Sequence, residues 1–167
     1  NLPAKMAVQY LRGLCQGDGF AKGEFPVFGH PVSLADIKLP VCAIACETDH
    51  IAHWRGSFNG VKQMGSKDKT FILSESGHIA GIINPPSKDK YGHYTNDAPV
   101  AGDPEAWRAS ATFHKGSWWP RWGAWLASQW PSCCPDRPIS LIIMTICGSR
   151  LSVASASSAL DASSQKK

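Results

Sequence analysis

Cys15, Asp49 and His78 are the residue types that a nucleophile–histidine–carboxylate triad uses. The cysteine lies in Gly13-Leu14-Cys15-Gln16-Gly17, a G-x-C-x-G pattern. With serine in place of cysteine, that pattern is the nucleophile elbow of α/β-hydrolases. Asp49 lies in Glu47-Thr48-Asp49-His50, and His78 in Ser74-Glu75-Ser76-Gly77-His78. Both are short polar stretches that follow an apolar run. An aspartate that orients a histidine, with the histidine as general base, is two-thirds of a triad. Aspartate before histidine is also the chain order of the α/β-hydrolase fold. Each residue has a plainer reading as well. Turns after strands use Asp for side-chain-to-backbone hydrogen bonds, Gly-His is ordinary loop material, and a cysteine near a helix end packs as a small hydrophobe.

The elements that must position these groups follow from periodicity. Leu39 to Cys46 is a continuous apolar run after a proline turn and reads as a buried strand. Residues 53–65 read as a helix, and Lys69 to Leu73 as a second strand. Two strand-plus-loop units with a helix between them are the βαβ signature of a parallel sheet covered by helices. In such sheets, reactive groups sit beyond the carboxyl ends of the strands. Adjacent parallel strands would therefore set the Asp49 and His78 loops side by side.

Elsewhere, residues 3–15 have helical spacing, closed by Gly17-Asp18-Gly19. Residues 25–33 read as short extended pieces broken by Pro26, Gly29 and Pro31. Leu34 to Lys38 reads as one helical turn capped by Ser33. Residues 84–102 read as a long loop, and Asp103-Pro104-Glu105 as a helix start. The tryptophan-rich stretch from Trp107 to Trp130 reads as one or two helices broken near Pro120.

Composition bounds the function. The 167 residues suffice for one domain with a core. The net charge of +4 is carried by scattered basic residues, which gives nucleic-acid binding little support. The most apolar run, Ile139 to Cys147, is about half the ~20 residues that a membrane-crossing helix needs. No basic start followed by an apolar run marks residues 1–20 as a signal peptide. The six cysteines are not spaced as paired zinc ligands, and Cys42 and Cys46 share one strand without facing each other. They read as reduced thiols of a cytoplasmic protein.

Longer motifs carry a resemblance. Glu47-Thr48-Asp49-His50-Ile51-Ala52-His53-Trp54 and Ser76-Gly77-His78-Ile79-Ala80-Gly81-Ile82-Ile83-Asn84-Pro85-Pro86 resemble strand-end motifs of poly(3-hydroxyalkanoate) synthases. So do Asp103-Pro104-Glu105-Ala106-Trp107, Gly116-Ser117-Trp118-Trp119-Pro120 and the opening Asn1-Leu2-Pro3 with Tyr10-Leu11-Arg12. The resemblance covers about residues 1–130 and is to the C-terminal part of the catalytic domain of class I-type synthases. It implies the C-terminal portion of an α/β-hydrolase-type fold, incomplete in this chain, and a Cys–His–Asp triad. It implies polymerisation of (R)-3-hydroxyacyl-coenzyme A into a polyester with release of coenzyme A. His78 would be the general base, Asp49 its partner carboxylate, and His50 a supporting residue. No metal or organic cofactor is implied. The partners implied are the acyl-coenzyme A, the growing polyester, the surface of a polymer granule and a second copy of the chain in a homodimer.

Cys15 does not fit the nucleophile of such a site. It ends a helical stretch, whereas an elbow joins a buried strand to a helix. Only 33 residues separate it from Asp49, and one βαβ unit alone takes about 30. The nucleophile is therefore expected upstream of this chain, and the chain alone is expected to be inactive. Residues 131–167 fall outside the resemblance and are small and polar at the end, where disorder is expected. A shifted frame, a read-through and a lineage-specific extension all fit them. His53, His93 and His114 read as surface or partly buried polar residues, and His30 as a turn residue. The tryptophans read as core or interface. The alternatives to the synthase reading are a catalytically dead module bound to granules or a partner, and a thioesterase or depolymerase of the same fold.

Overall fold

The computed structural model describes residues 2–129. Residues 131–167, expected to be a disordered tail, lie outside the described residues, as do Trp130 and the apolar run at Ile139. The chain enters through helix α1 (Ala4–Gln9), which passes directly into a π-helical stretch, Tyr10–Gln16. Gly17 N–H closes that stretch by donating to the Arg12 carbonyl five residues back at 2.8 Å. A short helix α2 (Gly19–Lys22) follows. Strands β1 (Phe25–Val27) and β2 (His30–Val32) form an antiparallel hairpin. Its two-residue turn places Phe28 at φ 50° and Gly29 at φ 82°, the left-handed pair that suits the twist of a tight hairpin. His30 is thus the first residue of a strand and pairs with Val27, rather than a turn residue. The helical turn after Ser33 is present as a 3₁₀ turn, Leu34–Asp36. Ser33 Oγ accepts from Ala35 N–H, and Asp36 accepts from the Ser33 N–H.

The second half is built on a four-stranded sheet. Strand β3 (Val41–Cys46) leads through helix α3 (Trp54–Gln63) to strand β4 (Lys69–Ser74), and the two strands pair in parallel. The expected βαβ unit is therefore present. The sheet does not continue in parallel. Strand β5 (His93–Thr95) lies antiparallel on β4, and strand β6 (Thr112–His114) lies antiparallel on β5. Residues 84–102 hold a strand and are not one loop. The tryptophan-rich stretch likewise holds β6 between helix α4 (Pro104–Ala109) and helix α5 (Trp119–Gln129). Pro120 does not break a helix: it sits in the first turn of α5, where its missing N–H has no intrahelical partner to lose.

The core lies between the sheet and α3 and α4. Phe58 and Val61 of α3, Phe71 and Leu73 of β4, and Trp107 of α4 are all buried. The Phe58, Phe71 and Trp107 rings meet edge-on or tilted at 5.3–5.6 Å between centroids, the geometry that aromatic quadrupoles favour. Trp107 is thus a core residue. No helix of the described residues is long and apolar enough to cross a membrane.

Candidate active site

The register of the parallel pair sets the site. Cys46 stands opposite Ser74 at the last rung. Hydrogen bonds carry the pairing past the strand ends: Glu47 N–H donates to the Ser74 carbonyl at 2.8 Å, and Thr48 N–H to the Ser76 carbonyl at 3.0 Å. The two loops beyond the strands are thereby stitched together, and Asp49 and His78 meet across them.

Asp49 is buried, 7% exposed. Its Oδ1 accepts from the Ile51 N–H at 2.8 Å and the Ala52 N–H at 3.0 Å. Its Oδ2 lies 2.8 Å from Nδ1 of His78. Burial alone pushes the Asp49 carboxyl up. The Ala52 N–H, the His78 ring, the Ile51 N–H and the charge on His78 together outweigh it and hold the pKa below the usual carboxylate value. An ionised Asp49 fixes the neutral His78 ring with the proton on Nδ1, which leaves Nε2 as the ring atom able to take a proton. The side chain of His78 is about a quarter exposed.

Both residues line a small pocket of about 150 Å³ whose walls are otherwise largely apolar, with Ile44, Cys46, Ile79, Ile82 and Ile83 among them. An apolar wall beside a buried carboxylate–histidine pair strengthens the electrostatic interactions within it. Ser76, two residues before His78, has φ 74°, a strained backbone of the kind that clusters at functional loops. The Asp49 loop is also braced from α4. Arg108 donates to Glu47 Oε1 from Nε at 3.2 Å and from Nη2 at 2.8 Å, and its guanidinium lies 3.3 Å from the centre of the Tyr94 ring.

Cys15, His50, His53, His93 and His114 are not among the residues that line this pocket. Cys15 is exposed on the π-helical stretch, with no strand leading into it. His50 and His53 are exposed, His53 directly before the first turn of α3. His93 is buried on β5 and stacks on its cross-strand partner His114 at 5.1 Å. His93 Nδ1–H donates to the Gly116 carbonyl at 3.0 Å, while burial keeps its pKa below the ordinary histidine value. Among the described residues no three His, Cys, Asp or Glu side chains gather as metal ligands would. The Ile51 and Ala52 N–H groups that donate to Asp49 form the side-chain-to-backbone turn that an aspartate after a strand favours, so the plainer reading of Asp49 and its contact with His78 hold together.

Comparison with known proteins gives the geometry a context. No family model matches the chain. The poly(3-hydroxyalkanoate) polymerase subunit PhaC of Rhizobium meliloti (strain 1021) is 43% identical over 126 residues, which is 75% of this chain. The same subunit from Cupriavidus necator is 43% identical over 130 residues, 77% of the chain. The chain is similar to a segment of poly(3-hydroxyalkanoate) polymerases. The poly(3-hydroxyalkanoate) polymerase of Methylorubrum extorquens is 40% identical over 138 residues, 82% of the chain. The shared stretches are only 20–22% of those polymerases, so the chain matches about a fifth of the length of the relatives.

Proposed function

We propose that this segment supplies the histidine–carboxylate half of the catalytic site of a poly(3-hydroxyalkanoate) polymerase with an α/β-hydrolase-type core, acting on (R)-3-hydroxyacyl-coenzyme A. The observation that carries the reading is the 2.8 Å contact between His78 Nδ1 and Asp49 Oδ2 at the ends of adjacent parallel strands, beside an apolar pocket. The names of the relatives support the polymerase chemistry, and the strand-end placement supports the fold.

In this reading the nucleophile is a cysteine upstream of the segment. His78 Nε2 takes its proton, and the thiolate attacks the acyl-coenzyme A thioester carbon. The carbon–sulfur bond to coenzyme A breaks, and His78 returns the proton to the departing thiolate. The acyl group is now a thioester of the enzyme. His78 then takes the proton of a 3-hydroxyl group, whose oxygen attacks that thioester. An ester bond forms, and the cysteine sulfur leaves and recovers the proton. Asp49 keeps the proton of His78 on Nδ1 and stabilises the imidazolium of each step. The work takes place in the cytoplasm at a polymer granule and needs no cofactor.

The test is coenzyme A release from (R)-3-hydroxybutyryl-coenzyme A by the full-length polymerase carrying this segment. His78→Ala should nearly abolish release. Retained turnover would remove His78 from the chemistry. The segment alone should release none. Efficient release by it, lost in Cys15→Ala, would move the nucleophile to Cys15.

A further inference from the structure

His78 sits on a stretch, residues 75–84, that contains neither a strand nor a regular helix. Its own backbone bonds are few: Gly81 N–H to the Gly77 carbonyl at 2.9 Å and Ile83 N–H to the Ile79 carbonyl at 2.8 Å. Such a loop needs outside restraint if a base is to be held to a few tenths of an ångström. Two consecutive tryptophans supply it, Trp118 directly before α5 and Trp119 as its first residue. Trp118 Nε1–H donates to the Gly81 carbonyl at 2.9 Å, and Trp119 Nε1–H donates to the next carbonyl, Ile82, at 3.0 Å. The Gly81 carbonyl also accepts from Ser74 Oγ at 2.9 Å. One carbonyl is thus held both by Ser74 of β4 and by Trp118, the residue before α5. A Cβ at Gly81 would meet Cys46 Sγ and the Glu75 carbonyl, both at 2.6 Å. The loop is therefore seated against the strand that leads to Asp49.

Packing alone does not require these donors. Trp107 and Trp125 bury their Nε1 atoms without a hydrogen-bond partner, so tryptophan in this protein can fill space without donating. The two donating indoles fall on adjacent carbonyls, three and four residues after His78.

We infer that Trp118 and Trp119 are positioning residues whose indole N–H groups strap the His78 loop in the register that Asp49 requires. The inference rests on the reading of His78 as the base. The strap acts through His78 and touches no substrate.

Phenylalanine keeps most of the ring and removes the donor, so Trp118→Phe and Trp119→Phe in the full-length polymerase isolate it. Carbethoxylation by diethyl pyrocarbonate, located by mass spectrometry, reads how firmly His78 is held. Buried His93 is the reference for general loosening. In Trp118→Phe the rate at His78 relative to His93 should rise about twofold or more, since only the loop is freed. In the same variant kcat should fall about tenfold while KM changes little. Trp119→Phe should move both in the same direction by less. Trp107→Phe, which loses no hydrogen bond, should lower the unfolding midpoint and leave the His78 to His93 ratio unchanged. An unchanged ratio in both strap variants, or an equal rise in Trp107→Phe, overturns the inference. If Trp118→Phe exposes His93 as well, the more exposed Trp119 decides. Turnover that survives His78→Gln would remove the base reading instead, and the modification ratio would still decide the strap.

Discussion

Cys46 and Ser74 stand opposite each other at the last rung of the parallel β3–β4 pair, and two further backbone bonds extend that rung into the loops beyond. This single register brings Asp49 and His78, 29 residues apart in sequence, to 2.8 Å. A slip of one residue would turn every side chain of one strand to the other face. The pair therefore depends on the register of the two strands as much as on its own loops.

The ionised Asp49 should make stability depend on acid. Its folded pKa lies below the ordinary value of 3.8. A carboxyl whose pKa is depressed by folding contributes stability that is fully present above its unfolded value and is lost as pH falls through the lower folded value. Thermal unfolding of the full-length protein and its Asp49→Asn variant should therefore differ most near neutral pH, with the gap closing below pH 3.8. A gap that widened toward acid would reverse the sign.

Cys15 should be dispensable. It is exposed on a π-helical stretch and does not follow a strand. Cys15→Ser in the full-length polymerase should leave kcat and KM for (R)-3-hydroxybutyryl-coenzyme A within about twofold of the parent, as surface substitutions usually do. A loss of several orders of magnitude would make it the nucleophile.

Gly81→Ala should be costly despite its small size. The new methyl group would overlap Cys46 Sγ and the Glu75 carbonyl. Forcing a group into packed surroundings costs about 1–3 kcal/mol. Denaturant unfolding of the full-length protein should report that loss together with reduced turnover, because the displaced loop carries His78. An unchanged midpoint would mean that the loop moves freely.

In the core, Phe58→Ala should lower stability by about 3–5 kcal/mol. Phe58 is fully buried and touches the rings of both Phe71 and Trp107. Calorimetry on the full-length protein would measure the drop.

The legible parts of this fold were those with a long, local signal. VCAIAC and KTFIL are apolar runs bounded by turn residues, and the helix between them has a clear apolar face, so the βαβ unit and its strand-end Asp and His could be read directly. The Ser33 capping turn was legible for the same reason. Strands β5 and β6 were not. Each has three residues, His93-Tyr94-Thr95 and Thr112-Phe113-His114, and each is a strand only because a neighbour supplies its hydrogen bonds. Pro120 looked like a break because proline interrupts helix interiors, yet near an N-terminus it is compatible with the first turn. The indole bonds from Trp118 and Trp119 span 37 residues and leave no trace in spacing or periodicity.

The most direct measurement is a double-mutant comparison of coenzyme A release in the full-length polymerase. It takes the parent, Asp49→Asn, His78→Ala and the combined variant. If Asp49 acts only by orienting and charging His78, the two residues work as a unit and their losses do not add. Asp49→Asn alone should cost roughly 10³–10⁴ in kcat. The combined variant should be no slower than His78→Ala. Losses that multiply in the combined variant would mean that Asp49 and His78 act independently, and the 2.8 Å contact between them would not be a catalytic pair.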